Sequence, residues 1–235
     1  MSPRTVEDAA EWTASGTQSF IAATVEVLDH LDDDSLLPGW DRRTVVAHVV
    51  GNARALLNLV RWARTGEPCP MYASPERRAA DIAETSRLDP PRLLGRVIAA
   101  AQQLRDDFEA LPPAAREMPV VTAAGRTVPA REVLWLRARE VNVHAVDLRS
   151  RVTFADLPPD FLRAVCGEAA SRHHQDAGRP LCLSTPAGER WTVSGQGEAL
   201  PISGALEDIA AYLTGRPHDL RSAGGLPAPP LGPWL

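Results

Sequence analysis

Residues 133–148 read VLWLRAREVNVHAVDL, and this stretch decides the fold of the first part of the chain. Apolar residues occur throughout it without an interrupting proline or glycine, and a run of this length is typical of a buried helix rather than a strand. Residues four apart lie on one face of a helix, so Glu140 and His144 should point in the same direction. Arg137 and Asp147 lie three residues to either side of that pair. The stretch therefore predicts a buried helix with four ionisable groups along one stripe.

Ionisable side chains on an apolar helix need partners, because an unpaired buried charge is costly. A bound cation would satisfy a carboxylate and an imidazole together, and both groups are zinc ligands. A catalytic zinc ion typically takes three protein ligands and leaves one position open. We therefore expect Glu140 and His144 to bind a metal ion, with a third ligand elsewhere in the chain. Asp147 is better suited to accept a hydrogen bond from a ligand histidine than to bind the metal. Its alternative role is to pair with an arginine such as Arg149.

The third ligand is predicted on an earlier helix. Asp41 should cap a helix that runs to about Arg64 and ends before Gly66. The apolar stripe of this helix contains His48. A single histidine on an apolar face is more often a core residue than a metal ligand. The carboxylate and imidazole pair described above lacks a third ligand, however, and this favours a ligand role for His48.

The composition argues against several classes of function. The chain has 235 residues, of which 44% are hydrophobic, and a net charge of -5. It has no basic tract, which argues against nucleic acid as a partner. It shows neither an apolar secretory signal nor a run long enough to span a membrane. Its three cysteines form no CxxC pair, as is typical of a reducing compartment. We expect a cytoplasmic protein and a monomer.

The order of predicted elements indicates an α+β fold that is mostly α. Four long helices are predicted by residue 150, the number found in a helical bundle. They cover 5–31, 41–64, 89–110 and 129–148, with a shorter helix at 75–86. Gly16 lies in the middle of the first helix and weakens that prediction.

After residue 150 the pattern changes. A helix over 158–175 is followed by a hairpin of two short strands at 181–185 and 190–194, a third strand near 199–203 and a helix at 204–213. We therefore predict an N-terminal four-helix bundle over 1–150 and a small C-terminal α/β domain over 151–235.

Four segments resemble the mycothiol-dependent maleylpyruvate isomerases, over nearly the whole chain. They are LPGWDRRTVVAHVVGNA at 37–53, PMYASPERRAADI at 70–82, RAREVNVHAVDL at 137–148 and LTGRP at 213–217. The resemblance implies a DinB-like four-helix bundle and a small C-terminal domain similar to sterol carrier proteins. It also implies zinc and mycothiol, a low-molecular-weight thiol, as the cofactor and the cosubstrate.

The resemblance carries over to particular residues. The metal ligands of the family fall on His48, Glu140 and His144, and its catalytic arginine falls on Arg216, with Arg221 as the alternative. Such enzymes would add a thiolate to the cis double bond of maleylpyruvate, allow rotation, and eliminate the thiol to leave fumarylpyruvate. We expect an arginine to hold the charge of the enolate that forms on addition. Arg137 is a second candidate for binding the substrate; its alternatives are a surface position or a role in orienting a ligand.

Three other functions fit the same residues. A thiol S-transferase would need the same metal and thiol but would act on another electrophile. A DinB-type protein could bind a metal without catalysis, although such a bundle would not need the C-terminal domain and its arginine. In the third alternative, the histidines and the glutamate satisfy one another in a helical domain that binds no metal. The residues that line the cavity, which the sequence does not identify, would separate the two enzymes.

Overall fold

The computed structural model describes residues 4–173, 178–232 and 234. The chain divides into two compact units, Met1–Val152 and Thr153–Leu235. We call them the first and the second unit. Helices make up most of the first unit, whereas the second unit combines helices with a four-stranded sheet.

The first unit is a helical bundle. Its helices are α1 (Val6–Glu26), α2 (Arg42–Thr65), α3 (Pro75–Ser86), α4 (Pro90–Glu109), α5 (Pro113–Arg116) and α6 (Glu132–Asp147). A hairpin of β1 (Pro119–Val121) and antiparallel β2 (Thr127–Pro129) precedes α6. Helix α2 packs against α3, α4 and α6, and α1 packs against α6 and α4. The four long helices predicted from the sequence therefore pack together as a bundle, with α3 added beside α2.

Local sequence signals explain where the helices begin and end. The Thr5 hydroxyl accepts a hydrogen bond from the backbone N–H of Asp8 at 3.0 Å, and the Asp8 carboxylate accepts one from the Thr5 N–H at 2.8 Å. This reciprocal capping box starts α1. Asp41 starts α2 in a similar way by accepting from the N–H of Thr44 at 2.7 Å. Gly66 ends α2 with a φ of +75°, a conformation that glycine adopts without strain.

Two predicted boundaries were wrong by a few residues. Helix α1 ends at Glu26 rather than near residue 31, because the chain tightens into a 3₁₀ turn over Leu28–His30. Helix α6 begins at Glu132 rather than at Pro129, because Pro129 pairs with Pro119 in the hairpin.

The glycine in the middle of α1 is explained by a close contact with α6. The side-chain amide of Asn142 donates to the carbonyl of Trp12 at 3.0 Å and to that of Ala138 at 2.8 Å. A Cβ atom at Gly16 would lie 2.3 Å from Nδ2 of Asn142, a distance that no real packing allows. Gly16 thus allows α1 to approach α6 closely, and this packing offsets the low helix propensity of glycine.

The second unit is built around a mixed sheet. Its elements are α7 (Pro159–Arg172), β3 (Leu181–Ser184), β4 (Arg190–Val193), β5 (Leu200–Ser203), α8 (Leu206–Leu213) and β6 (Arg221–Ser222). The strand order is β4-β3-β5-β6, in which β3 is antiparallel to β4 and parallel to β5. Helix α7 packs against β4 and α8. The predicted continuation of α7 over 174–175 lies outside the described residues.

The predicted fold class, mostly α with a helical bundle and a small α/β part, is confirmed. The hairpin of β3 and β4 and the third strand β5 lie where the sequence predicts them. Strand β6 was not predicted, because two residues are too short to show an alternating pattern.

Candidate metal centre

Three side chains predicted from the sequence converge inside the bundle. His48 is contributed by α2, and Glu140 and His144 lie one turn apart on α6. Nε2 of His48 lies 2.9 Å from Oε2 of Glu140, and Nε2 of His144 lies 3.3 Å from the same oxygen. The ligand atoms of the three residues all lie within 4.8 Å of one another. The packing of α2 against α6 therefore adds the third residue to the pair that the helical spacing predicts.

The arrangement of these atoms fits a metal ion. Two imidazole nitrogens and a carboxylate oxygen form a ligand set used by zinc, and tetrahedral bonds of about 2.0–2.2 Å place neighbouring ligand atoms roughly 3.4 Å apart. The observed separations of 2.9 and 3.3 Å are close to that value. Among the described residues, these three form the group of histidine, cysteine or acidic side chains whose ligand atoms lie close enough together to hold a metal ion.

His144 is held by a buried carboxylate. Its Nδ1 lies 2.7 Å from Oδ2 of Asp147, a residue with no exposed surface. The ring therefore donates through Nδ1, and its Nε2 faces Glu140, which is the orientation of a metal-ligating histidine supported by a carboxylate. The contact predicted between Asp147 and this histidine is therefore present. Burial opposes the protonation of His144, but the hydrogen bonds to Asp147 and Glu140 outweigh it and raise its pKa to about 9.

Glu140 stays ionised despite its position in the core. Burial disfavours its charge, but hydrogen bonds from His144 and His48 hold the pKa of this carboxylate well below its ordinary value. Burial lowers the pKa of His48, and the nearby positive charges of His144 and Arg78 lower it further, against the opposing effect of Glu140. The cluster thus offers an anionic oxygen between two imidazoles with different protonation behaviour.

His48 has a different outer partner. Its Nδ1 lies 3.2 Å from Nη2 of Arg78, which lies on α3. The ring of Trp40 packs edge-on against the imidazole, with centroids 5.5 Å apart. The guanidinium of Arg78 lies 5.5 Å above the ring of Tyr72. Burial raises the pKa of Tyr72, and the charge of Glu140 raises it further.

Sequence reasoning did not assign a role to Arg78 or Tyr72. Both lie in the segment at 70–82 that carries part of the family resemblance, but the resemblance alone does not place them beside His48. A further signal was available on α3. Ile82 and Thr85 are the buried residues of this helix, and Arg78 lies one turn before Ile82 on the same face. A charged residue on the inward face of a short helix indicates a buried partner.

Arg137 is buried deeply on α6. It is 1% exposed, and its Nη1 donates to the carbonyl of Val49 at 2.8 Å and to Oδ1 of Asn52 at 3.0 Å. Its Nε is buried and has no hydrogen-bond partner among the described residues. Burial lowers its pKa to about 10, against the opposing charges of Glu140 and Tyr72. The surface position considered for Arg137 is therefore wrong, and its charge is fixed one turn from Glu140.

Arg216 and Arg221 occupy different environments in the second unit. Arg216 follows α8 and is 8% exposed, and its guanidinium donates to the carbonyl of Thr214. Gly215, with a φ of +75°, turns the chain between these two residues. Arg221 lies on β6, is exposed, and donates to the carbonyl of Gly225 at 3.2 Å. Of the two candidate arginines, Arg216 is the one held in place by burial.

The fold and the cluster define a class of protein: a helical bundle with three inward-facing side chains that could hold a metal ion. The family model described as the mycothiol maleylpyruvate isomerase N-terminal domain matches residues 8–149. The crystal structure of a mycothiol-dependent maleylpyruvate isomerase is 36% identical in sequence, with 98% of each chain covered and a TM-score of 0.91. The structure of a histidine-to-alanine mutant of that isomerase gives the same identity, coverage and TM-score. The chain belongs to the mycothiol maleylpyruvate isomerase family.

This membership confirms the resemblance inferred from the four sequence segments, and with it the prediction of an isomerase-like enzyme. A comparison with curated proteins found none that matches. No helix among the described residues has both the length and the apolar character needed to cross a membrane.

Proposed function

We propose that the protein is a zinc- and mycothiol-dependent cis-trans isomerase that converts maleylpyruvate to fumarylpyruvate. The observation that carries this proposal is the convergence of His48, Glu140 and His144 on one point inside the bundle of a chain from this family. Family membership suggests the thiol and the acceptor, and the cluster provides a place to activate the thiol.

The three converging residues would hold the zinc ion and leave a fourth position open. A bound zinc ion supplies a Lewis acid that stabilises the deprotonated form of a thiol at neutral pH. The chain's own contribution is to fix the ligands. Asp147 sets the orientation of His144, and the packing of α2 against α6 sets His48 against Glu140.

The proposed reaction needs no reagent besides the thiol and the acceptor. The thiol gives up its proton, and its sulfur adds to one carbon of the cis double bond, so that the pair of π electrons moves onto the adjacent carbonyl as an enolate. The former double bond is now single and can rotate. The enolate then collapses, the carbon–sulfur bond breaks, and the trans double bond forms. The departing thiolate recovers its proton, and the thiol is regenerated.

Two arginines are proposed to assist this reaction. Arg216 would hold the negative charge that develops on the enolate, because a fixed guanidinium stabilises such a charge. Arg137 would contribute a permanent positive charge behind the cluster. Its contacts to Val49 and Asn52 fit a positioning role better than direct contact with substrate.

The proposal includes two small-molecule partners, an anionic electrophile and a low-molecular-weight thiol, and no nucleic acid. We also propose that the protein acts in the cytoplasm and as a monomer. The three cysteines, Cys69, Cys166 and Cys182, are unpaired, in keeping with a reducing compartment where the thiol would be available.

The test is an absorbance assay for maleylpyruvate with purified zinc-loaded protein, with and without mycothiol. Thiol-dependent loss of maleylpyruvate and formation of fumarylpyruvate, identified by chromatography, is the expected result. Loss of mycothiol together with the acceptor would indicate an S-transferase instead. No reaction with bound zinc would refute the proposed isomerisation and leave the metal centre intact.

A further inference from the structure

The hydrogen bond between Arg78 and His48 has an unusual direction for a metal site. A guanidinium has only N–H donors, so Nδ1 of His48 must accept the hydrogen bond from Arg78. Nε2 of the neutral ring then carries the proton and donates to Glu140 at 2.9 Å. A histidine that binds a metal through one nitrogen normally donates a hydrogen bond through the other, as His144 does to Asp147.

A metal ion at the cluster would reverse this arrangement. Coordination through Nε2 of His48 uses the lone pair of that nitrogen, so the proton of the neutral ring must lie on Nδ1. Two N–H donors would then face each other across the 3.2 Å that now separates Nδ1 from Nη2 of Arg78. This contact is repulsive, and one of the two side chains must move.

Arg78 is the side chain that can move. His48 is 7% exposed and lies on α2 among the buried residues of the bundle. Arg78 is partly exposed on the shorter helix α3, and its guanidinium lies 5.5 Å from the ring centroid of Tyr72. An arginine has a long flexible side chain, so its guanidinium can turn away while α3 stays in place.

The charges around the cluster determine what the released guanidinium would bind. Glu140 and Asp147 are the acidic groups that contact the two histidines, and Arg78 and Arg137 bring two positive charges to the same place. The charges of these four groups sum to zero, so a divalent cation would give the site a net positive charge. A planar guanidinium beside a phenol suits a carboxylate, which it can bind through two parallel hydrogen bonds.

We propose that Arg78 is the carboxylate-binding residue of this site and that it is released from His48 when a metal ion binds. The inference rests on the proposed function, in which the acceptor is a dicarboxylate. Metal binding and acceptor binding are then coupled through one side chain. The protein would bind its anionic acceptor well only when the metal is present.

The coupling can be measured without turnover by calorimetric titration with succinate, a dicarboxylate that has no double bond to isomerise. Four forms are compared: the zinc-loaded and the metal-free protein, each with Arg78 and with Arg78→Met. We expect Arg78→Met to weaken succinate binding by about 10- to 100-fold in the zinc-loaded form and to have little effect in the metal-free form. An equal effect in both forms, or none in either, would overturn the proposal.

Arg77→Met is the matched control, because Arg77 lies on the same helix but pairs with Asp81 at 2.6 Å. It should leave succinate binding unchanged. These titrations do not depend on the isomerase reaction, so a protein that fails to convert maleylpyruvate but shows the coupling would refute only the proposed function. Conversely, conversion of maleylpyruvate without the coupling would refute only the role of Arg78.

The tautomer of His48 gives a second and direct test by nitrogen NMR of the imidazole. The metal-free protein should carry the ring proton of His48 on Nε2, and the zinc-loaded protein should carry it on Nδ1. A proton already on Nδ1 in the metal-free protein would remove the premise of the proposal. This measurement needs no substitution, so it remains decisive if Arg78→Met does not fold.

Discussion

His144 and His48 lie on facing helices and approach the same carboxylate oxygen of Glu140, yet their outer ring nitrogens meet opposite partners. His144 donates to Asp147, a buried acceptor on its own helix. His48 accepts from Arg78, a partly exposed donor on another helix. The half of the cluster built on α6 thus has the hydrogen bonding of a metal site before any metal binds. The half built on α2 reaches it only after a neighbour has moved.

The difference follows from how each partner is positioned. Asp147 comes three residues after His144, so the backbone of one helix sets their contact. Arg78 is brought to His48 by the packing of α3 against α2, and its long side chain can turn away while α3 stays in place. We infer that the α6 half determines how tightly the metal is held, whereas the α2 half links the metal to the acceptor.

Removal of either histidine should abolish the difference between the α6 half and the α2 half of the cluster. Of the changes considered, it has the largest expected effect. His48→Ala and His144→Ala should each lower zinc affinity by more than about 100-fold, since loss of a partner of a ligand already costs about 10- to 100-fold. Activity should fall together with the metal content, measured by atomic emission on the purified variants. Full turnover in a variant that holds no metal would contradict the zinc-dependent proposal for both halves at once.

Arg216→Ala should affect neither half of the metal site but should still abolish most of the activity. Loss of a fixed positive partner for the enolate is expected to reduce kcat by about 100- to 1,000-fold, as for other groups that stabilise a developing oxyanion. Zinc content and thermal unfolding show whether the site and the fold survive. Loss of zinc in this variant would mean a structural role for Arg216. If Arg221→Ala loses turnover and Arg216→Ala does not, Arg221 is the arginine of the reaction.

The sequence predicted the α6 half of the site more fully than the α2 half, for a physical reason. The contacts of Glu140, His144 and Asp147 are fixed by helical spacing, and this spacing can be read from one segment. His48 could be proposed only because a pair of ligands lacked a third. The role of Arg78 was not predicted, because it lies 30 residues from His48 in sequence and contacts it only through the packing of two helices.

Packing between helices also explains what the sequence obscured in the fold. Gly16 counted against α1 by propensity, but the close approach of Asn142 makes a glycine necessary there. Strand β6 is two residues long and depends on pairing with β5, so no local pattern could show it. The elements predicted correctly carry their own signals: α2 has caps at both ends and an apolar stripe, and α3 is capped by Ser74 and begins with a proline.

Separate substitution of the two outer partners, Asp147 and Arg78, tests whether the two halves of the cluster differ as proposed. Asp147→Asn keeps the shape of the side chain but removes its charge, and it should lower zinc affinity by about 10- to 100-fold. Arg78→Met should not weaken zinc binding, because it removes a donor that opposes the metal-bound form of His48. Competition with a chromogenic chelator measures both affinities. Equal losses in the two variants would show that the halves are supported alike, and thermal unfolding controls for damage to the bundle.

The two histidines should also differ in how they hold protons. The pKa of His144 is raised to about 9, whereas that of His48 lies below its ordinary 6.5. Between these values the metal-free cluster holds one exchangeable proton, on His144, and zinc must displace it. Zinc affinity should therefore rise by up to about tenfold per pH unit from pH 7 towards 9 and then level off. Calorimetry in buffers of different ionisation enthalpy should count about one proton released near pH 7.5.

The same proton gives the stability of the metal-free protein a predictable pH dependence. A folded-state pKa above the unfolded value of 6.5 means that the paired, protonated His144 stabilises the fold fully below pH 6.5 and that this contribution is lost as the pH rises through about 9. Denaturant unfolding of the chelator-treated protein should show this decline, and Asp147→Asn should flatten it. If His48→Gln flattens the decline and Asp147→Asn does not, the proton belongs to the α2 half, and the assignment of the two halves must be reversed.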